Sequence, residues 1–339
     1  MTIAFVFPGQ GSQSVGMGKA AYEASEGARR IFDEADAILG YPLSKICFEG
    51  PAERLDDTAI AQPAILTTSI ALLEAFMEQV LAAVRPGTGV TPGLPKSEAP
   101  RGVAALPEPL RPRYVAGHSL GEFSALVAAG VLTFADALRL VAERGRLAAS
   151  NGVRGAMAAV VGLSAEEVEK VITTAVPDGT AVVANDNGPA QVTIAGEQAS
   201  LALAADALVR RGAKKIVQLR ISGPFHFPPM ARIGSDLRAF MANLSFLEPV
   251  VPVVANVSAR PHEAAATIPD MLVRHLSQRV EWLKSVRFMA ERGASTFVEI
   301  GAGQVVNGLI KRIAEAELLN VSDPSSIRAA VDRLRSRLA

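Results

Sequence analysis

Only one cysteine, Cys47, occurs in the 339 residues. An internal disulfide is therefore excluded, and a reducing compartment fits. With no histidine near it in sequence, Cys47 reads as a small core residue rather than a nucleophile. Charge of neither sign is in excess: Lys+Arg and Asp+Glu number 34 each. No electrostatic footprint therefore points to nucleic acid or an anionic membrane. Runs of about 18 or more apolar residues are absent, so no membrane span is expected. The opening Met-Thr-Ile-Ala-Phe-Val-Phe lacks the basic segment and long apolar stretch of a signal peptide. Histidine is scarce, with four in all. No H-x-x-x-H or C-x-x-C pairing exists, so no metal site is expected. These absences lead to the expectation of a soluble, cytoplasmic, monomeric protein with one large domain or a domain plus a subdomain.

What the chain does contain is an alternation of strand-like and helix-like stretches. Residues 3–7 read as a buried strand, followed by the loop Pro8-Gly9-Gln10-Gly11-Ser12-Gln13 and one helical stretch over about 18–39. The loop has neither Walker nor dinucleotide spacing. It does follow a first buried strand, where α/β proteins place ligand-facing backbone. Residues 59–84 predict an apolar core helix. Seven of the 21 prolines then fall within 85–113, which reads as an exposed excursion unable to hold a helix or central strand. Residues 134–149 predict a helix capped by Thr133 and carrying Arg139, Arg144 and Arg146.

Residues 155–221 predict a compact βαββαβ unit. Its strands fall at 156–161, 181–185, 191–195 and 215–221. A capping box at Ser164-Ala165-Glu166-Glu167 opens a helix to about 174, and a second helix covers 197–211. Asp186-Asn187-Gly188-Pro189 reads as the turn between the middle strands. That order is ferredoxin-like, and it predicts a subdomain inserted into a larger α/β domain formed by 1–154 and 222–339. The large domain resumes with a strand at 250–256, helices at 271–276 and 282–291, a strand at 296–300 and a helix at 304–313.

The chemistry centres on Gly117-His118-Ser119-Leu120-Gly121, between a β-prone run and a small-residue helical run. This is the strand, sharp turn and helix of a nucleophile elbow, in which side chains at Gly117 or Gly121 would crowd the neighbouring strand and helix. Helix N-terminal N–H groups then lie beneath the Ser119 hydroxyl. A serine nucleophile needs a base. His118 adjoins Ser119, but adjacent side chains diverge at an elbow, so it reads as packing or polar support. His262 and His275 read as surface or partly buried structural residues. His226, in Gly223-Pro224-Phe225-His226-Phe227-Pro228-Pro229-Met230, sits in a proline-stiffened loop after a strand. That setting suits a base that must hold its position.

Phe7 to Gln13, Gly117 to Glu122, Glu143-Arg144-Gly145 and Phe225-His226 occur in order, with Glu299-Ile300-Gly301-Ala302-Gly303 after them. Together these motifs resemble the acyltransferase family of fatty acid and polyketide synthesis, over about residues 1–315 outside the proline-rich stretch. The resemblance implies an α/β-hydrolase-like domain with a mainly parallel sheet, interrupted by a ferredoxin-like subdomain. It implies Ser119 as nucleophile, His226 as general base, and the N–H groups of Gln10 and Leu120 as oxyanion hole. It also implies Arg144 as the grip on the free carboxylate of a dicarboxylic acyl group. The implied reaction moves malonyl from malonyl-CoA to the phosphopantetheine thiol of an acyl carrier protein through a malonyl-serine ester. Coenzyme A thioester is then a substrate, and no cofactor is held permanently.

Departures from the family pattern carry their own expectations. Phe227 follows the base where a small residue is common, and is expected to narrow or reshape the acyl pocket. Glu281 stands where relatives often have Gln, whose backbone carbonyl orients the histidine. Glu281 either does the same or adds its carboxylate to a triad. Ala302 replaces a proline, altering loop stiffness. Rival readings are a trans-acting polyketide acyltransferase or acyl hydrolase, a general esterase with Asp178 or Asp186 as its acid, and a non-catalytic carrier-binding module. Lys214, Lys215 and Arg220 are either contacts for an acidic carrier protein or a solvated face.

Overall fold

Strands that are apolar along their whole length need cover on both faces, and β1 (Thr2–Phe7) is buried at all but its first residue. The computed structural model, which describes residues 2–84, 102–219, 221 and 223–336, places β1 mid-sheet. It pairs in parallel with β2 (Tyr114–Gly117), Phe5 beside Val115. On its other side it pairs in parallel with β8 (Ala294–Ile300), Phe5 beside Val298. β7 (Val253–Val254) and β9 (Glu317–Val321) complete an all-parallel sheet of order β7-β2-β1-β8-β9. Helices cover it. The longest, Thr58–Val84, packs against the helices Glu26–Leu39 and Phe134–Ser150. Among the described residues, Thr58–Ala83 is the one helix long and apolar enough to cross a membrane, and 94% of its most apolar window is buried in the protein.

A second sheet is antiparallel and drawn from one continuous stretch. Its strands are β3 (Ala156–Val161), β4 (Ala181–Gly188), β5 (Gln191–Gly196) and β6 (Lys215–Gln218), in the order β4-β5-β3-β6. Helices Ala165–Ala175 and Gln198–Arg211 pack on it, the first opened by the Ser164/Glu167 capping box. The chain is thus an α/β protein with a parallel sheet and a separate antiparallel one.

Several local expectations are corrected. The stretch 18–39 is two helices, because Ser25 is extended and its side chain accepts the Ala28 N–H to cap the second one. Asp186, Asn187 and Gly188 belong to β4 rather than to a turn, so the hairpin turns at Pro189-Ala190. The strand at 250–256 shrinks to Val253–Val254, and the chain leaves the sheet to bring Asn256 under the elbow. Of the proline-rich stretch, 85–101 lies outside the described residues, as do Arg220 and Ser222. Its remainder is anchored: Val103, Leu106 and Leu110 are fully buried. Strand β9 and the helix Pro324–Arg335 extend the large domain beyond the elements expected from sequence.

Candidate active site

The elbow closes because two positions have no side chain. A Cβ on Gly117 would lie 1.8 Å from the backbone of Gly121, and one on Gly121 would lie 2.2 Å from the Phe7 carbonyl oxygen. Only glycine permits these approaches. Ser119 itself takes φ 51°, the left-handed conformation that L-residues other than glycine avoid. The helix Gly121–Ala128 starts immediately after it.

Ser119 Oγ lies 2.8 Å from His226 Nε2, across 107 residues of sequence. The other ring nitrogen, Nδ1, is 2.8 Å from the carbonyl oxygen of His275. A carbonyl only accepts, so Nδ1 carries the proton and Nε2 is left to accept from the serine hydroxyl. His226 also sits at positive φ, 55°, and its own N–H donates to the Leu276 carbonyl. Burial pushes its pKa down to about 3, helped by the nearby charge of Arg144. The imidazole is therefore neutral at ordinary pH.

The group that orients His226 corrects two expectations. Glu281 does not contact it: its carboxylate pairs with Arg279 and Lys284, and its carbonyl accepts from Ser285. His275, expected at the surface or partly buried, is fully buried with its ring 4.7 Å from that of His226. It is the carbonyl ending the helix Ile268–His275 that meets Nδ1. Neither Asp178 nor Asp186 completes a triad, since the place for an acid is filled. The His262 side chain is also fully enclosed, 2.9 Å from Glu122 Oε1. His118 bonds Asn187 Oδ1 at 2.7 Å and meets Trp282 edge-on, a polar-support geometry.

Arg144 shares a cleft of about 200 Å³ with Gln10, Ser119 and His226. It is 2% exposed, and its Nη1 donates to Gln62 Oε1 at 2.7 Å. Its guanidinium lies over the Phe225 ring at 4.6 Å. Nε and Nη2 have no hydrogen-bond partner among the described residues. Burial lowers its pKa to about 10, against the pull of Glu122, so it stays charged at neutral pH. A buried cation with two idle donors facing a cleft is suited to hold an anion. Phe227, by contrast, does not line the cleft. It is buried in the hydrophobic core, and Phe225 is the aromatic wall. The N–H groups of Gln10 and Leu120 donate to no protein acceptor among the described residues. Asn185, Asn187 and Thr193 supply a polar wall from the second sheet. Gln62, Phe225, His275, Asn256 and Glu122 are the site residues that sequence reasoning missed.

A parallel α/β sheet with a hydrogen-bonded serine–histidine pair at its elbow sets the chain among α/β proteins that carry a Ser-His dyad. More specifically, the chain belongs to the acyl transferase family, whose domain model matches residues 4–88 and 107–326. It is 40% identical to the malonyl CoA-acyl carrier protein transacylase of Bacillus subtilis, covering 98% of this chain and 97% of that one. It is 39% identical to the Escherichia coli K12 protein of the same name, covering 97% and 98%. Among solved structures, an acyl-carrier-protein S-malonyltransferase from Bartonella henselae superposes with a TM-score of 0.87 at 36% identity, covering 99% of this chain and all of that one. A malonyl-transacylase in complex with a type II polyketide acyl-carrier protein superposes with a TM-score of 0.85 at 34% identity, covering 98% and 100%.

Proposed function

We propose that the protein transfers malonyl from malonyl-CoA to the phosphopantetheine thiol of an acyl carrier protein. The observation that carries this reading is Arg144, a buried guanidinium whose Nε and Nη2 are unpaired among the described residues, in the cleft that holds Ser119. A malonyl group ends in a carboxylate that both nitrogens can grip at once, which an acetyl group lacks. In the first half-reaction Ser119 Oγ bonds the thioester carbonyl carbon while its proton passes to His226 Nε2. Gln10 and Leu120 N–H groups, free of protein acceptors among the described residues, receive the oxyanion. Collapse breaks the C–S bond, and the departing thiolate takes the proton from His226. The second half-reaction repeats these steps with the carrier thiol as nucleophile and Ser119 as leaving group.

Residues 1–154 with 222–339 act on this reading as the catalytic domain, and 155–221 as a subdomain closing one side of the cleft. Lys214 and Lys215 are exposed at the start of β6, where an acidic carrier would meet positive charge. Intact-mass measurement after mixing with malonyl-CoA or acetyl-CoA tests the proposal. A malonyl adduct is expected on the wild type, none on Ser119→Ala, and little or none from acetyl-CoA. Equal labelling by both thioesters would refute the specificity, and release of free malonate without a carrier would favour a hydrolase.

A further inference from the structure

Behind the elbow lies a buried cluster that does not line the cleft. Asn256 Oδ1 accepts the Ser119 N–H at 2.9 Å, and Asn256 Nδ2 donates to the Gly117 carbonyl at 2.7 Å. One side chain thus bridges both ends of the turn that holds Ser119 at φ 51°. Nδ2 also donates to Glu122 Oε2, which accepts the Asn256 N–H as well, at 3.0 Å. Glu122 Oε1 faces His262 Nε2. Asn256 is 2% exposed and Glu122 1%. The chain between Val253 and His262 doubles back on itself: His262 N–H donates to the Val253 carbonyl, and Ala255 N–H to that of Arg260. Both residues are thereby carried under the elbow by one tight loop at the end of β7.

The pattern of donors and acceptors admits only asparagine. The Ser119 amide can only donate, whereas the Gly117 carbonyl and an ionised Glu122 can only accept. An aspartate has no donor for Gly117 and sets a second negative charge against Glu122. A leucine leaves the Ser119 N–H and the Gly117 carbonyl buried and unpaired. We propose that Asn256 is a positioning residue for Ser119. Its amide clamps the two ends of the elbow, and Glu122 with His262 fixes which way that amide faces. This role presupposes that Ser119 is the residue acylated. Asn256 touches neither cleft nor substrate, so its effect falls on where the hydroxyl points, and displacements of about 1 Å at a reacting atom cost about 10²-fold.

The test follows malonyl adduct formation by rapid-quench intact mass on the full chain, with malonyl-CoA as probe, over about pH 5.5 to 8.5. N256A is expected to acylate about 10²-fold more slowly, with half-saturating malonyl-CoA changed by no more than about threefold, because Arg144 and the cleft are intact. N256D keeps the shape of the side chain and removes its donor. At alkaline pH it faces Glu122 as a second carboxylate and is expected to be as slow as N256A. As pH falls, one shared proton restores a donor, and N256D should recover about tenfold relative to wild type. The charged or titratable groups around it are Glu122 on the helix after the elbow, His262 in the same loop, and Arg144, whose charge Glu122 feels. N256A within about threefold of wild type, or an N256D profile parallel to wild type, overturns the role while leaving acyl transfer intact. A wild type that gains no adduct, in contrast, refutes the acyl-transfer reading and this role with it.

Discussion

Replacing Arg144 by alanine separates recognition of the acyl group from the chemistry on Ser119. The guanidinium is 2% exposed, so solvent and salt weaken its contacts little. Nη1 is committed to Gln62, while Nε and Nη2 have no partner among the described residues and are open to a ligand carboxylate. Two charge-assisted hydrogen bonds at about 1.5–3 kcal/mol each give about 3–6 kcal/mol. That range corresponds to about 10²- to 10⁴-fold in the rate of malonyl transfer. Acetyl-CoA makes neither contact, so any adduct it forms should change by less than about tenfold, which serves with far-UV circular dichroism as a control for folding. Arg144→Lys keeps the charge but loses the planar fork, and should recover only about one decade of the loss. The assay is the ratio of malonyl to acetyl adducts on Ser119 when the two thioesters compete. Loss of both activities in parallel, or full recovery with lysine, would show that Arg144 does not grip a carboxylate.

Because His226 has its pKa pushed down to about 3, the base stays neutral far below the usual histidine range. Malonyl acylation should therefore vary by less than about threefold between pH 8 and pH 5, and an acid limb near 6.5 would contradict the geometry. Arg144→Ala removes one cause of that depression, so the limb should move upward in the variant. Phe227→Ala should lower stability by about 3–5 kcal/mol, read by thermal or denaturant unfolding, since the ring is 2% exposed in the core. Its malonyl-to-acetyl ratio should not change, because the cleft wall is Phe225. Glu281→Gln breaks pairs with the partly exposed Arg279 and exposed Lys284, and should leave the acylation rate within about twofold.

The elbow was legible because its constraints are local. Two glycines, a β-prone run and a helix-forming run within about a dozen residues specify strand, turn and helix without tertiary knowledge. The capping box at Ser164 and the βαββαβ order were legible for the same reason. Partnerships across the chain were not. Asn256 and Glu122 are 134 residues apart, and no pattern in either segment announces the other. Gln62 is buried in an apolar helix and gains meaning only from Arg144 beside it. Phe225 and Phe227 were indistinguishable by type. An extended chain would put both rings on one face, and the left-handed backbone at His226 between them turns them to different surroundings. A backbone carbonyl was expected to orient His226, but at Glu281; every residue possesses one, so nothing in the sequence singled out that of His275.

That last contact sets how the site responds to mutation. The acceptor for His226 is main chain, so substitution at 275 trades one side chain for another and leaves the carbonyl oxygen in place. The residue there can vary among side chains that fill the same buried space beside the His226 ring, provided the helix Ile268–His275 keeps its end. An alanine scan at 275 reports lost packing beside the His226 ring, not a lost hydrogen bond to Nδ1. Insertions, deletions or a proline that re-registers the turn at Leu276 would be felt at once. The orientation of the base is inherited as a shape of the chain rather than as a letter of the sequence.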